Sequence, residues 1–193
     1  MAFRVFRFLS VLVLLASGAL SALAQSRPLD VERSTLTVRV FKAGLFSAFG
    51  HNHEIRAGLS SGSVDEGPNP SVELEVDARK LTVLDPQLKP EQRAEVQKTM
   101  HSADVLDSET FPHIRFRSNT VEKMGDGRFL VKGELELHGQ VRPVQMTVKG
   151  EAGHYQGTAS LKQRDFRIKP VSVAGGTIKV KDEIKIEFEI FPR

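Results

Sequence analysis

The sequence predicts an all-β fold of antiparallel strands, and three observations lead there. From Leu36 onward, apolar and polar residues alternate at a period of two along most of the chain. Breaks rich in glycine and proline separate the alternating runs. Each run has one dry face and one wet face, as antiparallel sheets do and doubly buried parallel strands do not. Many short strands of this kind form a sandwich or close into a barrel, and alternation by itself leaves both open.

The first segment stands apart from the strands. Met1 to Ala24 begins with the cations Arg4 and Arg7, continues as the apolar run Phe8–Leu15 and ends on small residues. Ala22-Leu23-Ala24 is the A-x-A pattern that a signal peptidase accepts, because only small side chains fit its groove. The apolar run is shorter than the roughly 20 residues of a membrane-spanning helix. The expectation is a signal peptide over residues 1–24, export to a bacterial periplasm and no stable membrane insertion after cleavage. Residues 25–193 then form a single β domain, large enough to bury about 70% of the surface of its unfolded chain.

The runs follow in order. Leu36, Val38 and Val40 alternate with Thr37 and Arg39, and Val72, Leu74 and Val76 with Glu73, Glu75 and Asp77. Ile114 and Phe116 alternate with His113, Arg115 and Arg117. Phe129, Val131, Leu135 and Leu137 alternate with Lys132, Glu134 and Glu136, with Gly133 on the apolar side. Ile184, Ile186, Phe188 and Ile190 complete the set. Turns are expected at Ser61-Gly62, Gly67-Pro68-Asn69-Pro70, Gly125-Asp126-Gly127, Gly139, Gly150, Gly153 and Gly175-Gly176, with the clearest hairpin at Met124–Arg128. One segment departs from the pattern. Pro90-Glu91-Gln92 opens a helix-forming stretch to Met100, with proline suited to the first turn and Val96 and Met100 four apart. Ala43–Ala48 could add a second helical turn.

Composition narrows the function. There is no cysteine, which excludes disulfides, thiolate metal sites and cysteine nucleophiles. Lys and Arg total 27 against 24 acids, and two of the cations lie in the leader. The near-neutral remainder has no basic stripe for nucleic acid. No G-x-S-x-G elbow, H-E-x-x-H helix or phosphate-cradling loop is present, so the reading is a binding protein, not an enzyme.

Four stretches carry a family resemblance: "STLTVRVFKAGLFSAFGHNHEI", "VLDSETFPHIRFRS", "FLVKGELELHGQVRPVQMTVKG" and "DFRIKPVSVAGGTIKVKDEIKIEFEI". Together they span about residues 33–191 and resemble the YceI-like family of exported, lipocalin-like proteins described as binding polyisoprenoids or lipids. The strand, His-Gly turn and Arg-Pro sequence within Leu135–Val144 is the most specific piece. The resemblance implies an extended antiparallel up-and-down β-barrel of about eight strands with one short helix, enclosing an apolar tunnel. Thr99-Met100 stands where many relatives have His-Leu, and Arg167 where they have glycine.

An eight-stranded barrel either fills itself with side chains or holds one small ligand. The inward set would include Val38, Val40, Phe46, Phe49, Ile55, Phe116, Tyr155 and Phe166, together with Val72, Leu74, Val131, Leu135, Leu161, Ile186 and Phe188. With twelve Phe, one Tyr and no Trp, most aromatic walls lack a polar tip. Burying ten methylene equivalents of a ligand gains about 8 kcal/mol gross, less the costs of association and ordering.

The local anomaly is "AFGHNHEI". A regular strand there puts Phe49, His51, His53 and Ile55 on one face. Three readings stand: His51 and His53 chelate a divalent metal such as zinc or copper, they hold the polar head of an apolar ligand, or they bond to backbone at the rim. A firm zinc site needs about three protein ligands, and no third is evident in the sequence. The leading expectation is a carrier that sequesters an isoprenoid, quinone or fatty acyl chain without a cofactor, as a monomer or homodimer. The alternatives are a metal-binding or metal-dependent protein using the histidine pair and a structural protein with a filled core.

Overall fold

The computed structural model describes residues 26–43, 52–151, 153–173 and 178–193. The leader, Phe46, Phe49, His51, Gly175-Gly176 and most of the suggested helical turn at Ala43–Ala48 lie outside these residues; Ala43 itself is in a strand. Twelve strands are described: β1 Arg27–Pro28, β2 Thr35–Ala43, β3 His53–Arg56, β4 Leu59–Asp65, β5 Ser71–Asp77, β6 Thr82–Val83, β7 His113–Gly125, β8 Arg128–Leu137, β9 Gln140–Glu151, β10 His154–Lys162, β11 Ser172–Val173 and β12 Ile178–Ile190. Among the described residues there is a single α-helix, α1, spanning Pro90–His101. It starts where proline costs no hydrogen bond, and the Gln92 side chain accepts from the Lys89 N–H. No described helix is long and apolar enough to cross a membrane.

All pairings are antiparallel, in the order β1-β4-β5-β7-β8-β9-β10-β12-β2-β3-β6, with β11 beside β12. The sheet curls into a half-barrel, and two links draw its margins together. Strands β3 and β4 are separated only by Ala57 and Gly58, yet β3 pairs with β2 and β4 with β5. At the other margin β1 pairs with β4 while Leu29 bridges to Pro192, just beyond β12.

The expected eight strands become eleven along the described path. Two-residue ladders such as β1 and β6 are too short to show alternation, and the bend at Ala57-Gly58 divides one run into two strands. Two expected turns are also interior to strands. Gly62 lies in β4, where an added Cβ would stand 2.7 Å from both Leu29 Cδ1 and the Glu73 carbonyl oxygen. Gly150 lies in β9, where an added Cβ would meet the Tyr155 ring at 2.3 Å. Glycine serves close approach at both places. The expected hairpins at Asp126-Gly127 and His138-Gly139 are two-residue turns with positive φ at both central positions, matching the twist of the flanking strands.

Registers put every alternating apolar set on the inside. Val38 faces Ile186 and Ile55 across two ladders, and Phe116 faces Leu74 and Leu135. Outside, the acidic strand β5 faces cations on β7: Glu73 pairs with Arg117 and Glu75 with Arg115, and His113 Nδ1 lies 2.8 Å from Glu75.

Candidate functional site

Inside the curl lies a cavity of about 400 Å³, within the size range of small-molecule sites. Its wall is almost wholly apolar, with contributions from β2, β3, β5, β7, β8, β9, β10 and β12. Side chains such as Val38, Leu74, Leu135 and Ile186 point inward yet are only half-buried, because beyond their neighbours in the sheet they border open space. A filled core would have covered them. Fully packed clusters stand around that space: one joins Leu29, Ile55, Leu81, Val83 and Met100, and another joins Leu137, Leu161, Phe166 and Ile168.

Glycines keep the space open by letting aromatic rings lie against the strands. Phe116 covers Gly133 and Phe188 covers Gly157, with ring atoms 2.7 and 2.6 Å from where a Cβ would be. At any larger residue the ring would be displaced toward the lumen.

Of the residues expected to face a ligand, Val38, Val40, Ile55, Phe116, Tyr155 and Phe166 line the cavity. Phe46, Phe49 and His51 lie outside the described residues. His53 is on β3 but is not a lining residue. Its Nδ1 is 2.6 Å from Oδ2 of Asp85, a side chain with no exposed surface. The other oxygen of Asp85 accepts from the Glu54 N–H at 2.7 Å. A carboxylate–imidazole pair of this kind fixes the ring. Among the described residues no group of three or more His, Asp or Glu side chains is placed to hold a metal.

The other described histidines also have local partners. His101 Nδ1 lies 3.1 Å from the Ser108 hydroxyl, and its Nε2 is beside Gln97. Gln97 accepts from the Val83 N–H and donates to the Leu81 carbonyl, tying α1 to β6. Ser108 is 2% exposed, so this Ser–His contact is a structural clamp closed to substrate. His113 meets Glu75, His138 meets the Phe166 carbonyl, and His154 stacks on Phe191.

The polar lining was not legible in the sequence. Asp65, Glu66 and Ser71 come from the β4–β5 hairpin, Lys123 from the far half of β7, and Lys162 and Gln163 from the end of β10 and the turn after it. Hydrophilic residues in turns carry no pattern that marks them as lining a cavity. Glu66 accepts a hydrogen bond from the Tyr155 hydroxyl, and Arg27 Nη1 lies 3.1 Å from its other oxygen. The Tyr155 hydroxyl, with Arg27, holds the Glu66 carboxyl below the usual carboxylate range against the opposing effect of burial. Burial, and then the adjacent Glu66, push the Tyr155 phenol up to about 12.

Comparison with known proteins follows the same outline. The family model of the YceI-like domain matches residues 28–191. A UPF0312 protein of Vibrio cholerae is 31% identical over 127 residues, which are 61% of this chain and 61% of the relative. A UPF0312 protein of Pseudomonas putida is 31% identical over 104 residues, covering 49% of this chain and 53% of its own. The match thus spans less than two thirds of these curated relatives. Among solved structures, Burkholderia cenocepacia BcnA superposes with a TM-score of 0.66 at 17% identity, over 86% of this chain and 99% of its own. A polyisoprenoid binding domain from Saccharophagus degradans, implicated in plant cell wall breakdown, superposes with a TM-score of 0.57 at 16% identity, over 85% of this chain and 95% of its own. The alternating strands, the curled antiparallel sheet and the profile match over nearly all the described residues lead to one conclusion: the chain belongs to the YceI-like family.

Proposed function

We propose that this protein binds and carries a long apolar molecule, an isoprenoid, quinone or fatty acyl chain, within the cavity. The observation that carries the reading is the open, almost wholly apolar lumen whose lining side chains are only half covered. Leaving such surface exposed is unfavourable by about 25 cal/mol per Å². A bound hydrocarbon chain removes that cost without needing a specific polar partner. The likeness to the Saccharophagus degradans domain supports the ligand class. The leader pattern supports export to the periplasm.

The test is native mass spectrometry of the mature protein, purified gently from the exported fraction without detergent or chelator. The expected result is an added mass of several hundred daltons that extracts into organic solvent and is lost in Val38→Trp, whose indole would occupy the lumen. An added metal mass, lost in a His51→Ala/His53→Ala double variant, would favour the metal-binding reading. A bare polypeptide mass after lipids and metals have been offered would sink both.

A further inference from the structure

The wall of the cavity is incomplete at one place. Strand β7 runs from His113 to Gly125, and β8 pairs with it to the end, but β5 pairs only with His113–Arg117. There the ladder stops. The next amide on β5, that of Val72, donates to the Ser118 hydroxyl at 2.9 Å instead of to a backbone carbonyl. The β7–β8 register shifts between Ser118 and Thr120, and a bulge of this kind bends a strand out of line. Beyond it, the outer edge of β7 from Asn119 to Gly125 has no strand partner among the described residues.

Four of the cavity's six polar lining residues stand on the two banks of this gap, and the other two, Lys162 and Gln163, lie at the far end of β10. Asp65, Glu66 and Ser71 stand on the β4–β5 hairpin, and Lys123 stands on the far half of β7. Polar side chains belong where a lumen meets water. The hairpin is held from its other side. Glu66 accepts from Tyr155 at the start of β10 and from Arg27 on β1, and Arg27 Nε also donates to the carbonyl of Arg193 at 2.8 Å.

We propose that the gap between the β4–β5 hairpin and the distal half of β7 is the portal through which the apolar ligand passes, and that Glu66, tied to Tyr155 and Arg27, is the latch that sets its width. This rests on the apolar-ligand reading and adds a route and a control point to it. An edge with no ladder partner yields without breaking backbone hydrogen bonds, whereas parting any of the paired strands breaks several. Widening the gap breaks the single Val72–Ser118 bond across it, and on the hairpin's other side the two bonds to Glu66 add to the short β1–β4 ladder that holds it.

The chain has no cysteine, so a pair can be introduced cleanly. Asn69→Cys on the hairpin and Thr120→Cys on β7 are both exposed positions. They would be joined by a flexible bismaleimide with a cleavable spacer, using dansyl-labelled undecanoic acid as the probe and stopped-flow fluorescence as the readout. Cross-linking should slow both loading and release at least tenfold, and cleaving the spacer should restore them. Tyr155→Phe keeps the ring but removes the donor to Glu66, and release from it should be about tenfold faster, the scale of one charge-assisted hydrogen bond. Unaltered exchange in the cross-linked protein would overturn the portal, and an unaltered rate in Tyr155→Phe would overturn the latch. Failure of the unmodified protein to bind the probe would overturn the apolar-ligand reading and the portal with it.

Discussion

Replacing Gly157 by alanine tests whether glycine-backed aromatic rings hold the lumen open. Gly157 pairs with Phe188 on β12 and with Val148 on β9. A Cβ built there would stand 2.6 Å from Phe188 Cζ and 2.7 Å from the Thr147 carbonyl oxygen, both closer than real Cβ contacts allow. The ring can swing into the lumen, but the carbonyl belongs to the ladder and can move only with β9. Overpacking of this kind costs about 1–3 kcal/mol, offset by about 0.4–1 kcal/mol from the stiffer unfolded chain. A net loss of about 1–2 kcal/mol lowers the midpoint of a domain this size by roughly 2–8 °C. Thermal unfolding followed by circular dichroism measures that shift, and titration with fatty acids of increasing length reads the narrowed lumen as a shorter maximum chain. Gly58→Ala is the control: nothing lies within 4 Å of its Cβ position, so it should be neutral or slightly stabilising. Phe188→Leu in the Gly157→Ala background should recover part of both losses. A Gly157→Ala protein with undiminished stability and the same length limit would refute the account of how the wall is built.

Other substitutions probe single interactions. Arg167 follows the 3₁₀ turn Gln163–Phe166 at φ 59°, so Arg167→Gly should raise stability by about 1 kcal/mol in denaturant titration by relieving a left-handed conformation. Asp85→Ala strips acceptors from the Glu54 N–H and from His53, and should cost about 2–3 kcal/mol in the same assay. The phenol of Tyr155 is raised in the fold, so its stabilising contribution is fully present below its ordinary value near 10 and is lost as the pH rises toward about 12. Stability measured across that window should fall less steeply in Tyr155→Phe than in the parent. Asp77 behaves in the opposite sense: hydrogen bonds from Arg79 lower its carboxyl to about 2, so its contribution is present above the ordinary value near 4 and is lost as pH falls through about 2. Asp77→Asn should flatten the acid limb of the stability profile.

What the residue order determined by itself is the period-two frame. Val38, Ile55, Phe116, Tyr155 and Ile186 all face inward because successive strand residues point to opposite faces, a local rule that no distant contact alters. The helix at Pro90 and the glycine-containing turn at Asp126 were legible for the same reason, since proline and positive-φ glycine act within a few residues. Tertiary structure decided the rest. Whether inward residues fill a core or surround a space depends on how far the sheet curls. That in turn depends on the bend at Ala57-Gly58, the bulge near Ser118 and the seating of rings over Gly133 and Gly157. His53 shares the inward face in sequence, but Asp85, 32 residues away, holds its ring. Glu66 and Tyr155 are 89 residues apart, and their bond exists only once the strands between them have brought a turn and a strand end to the same rim. Alternation reports which face a side chain takes; curvature and long-range pairing decide what that face encloses.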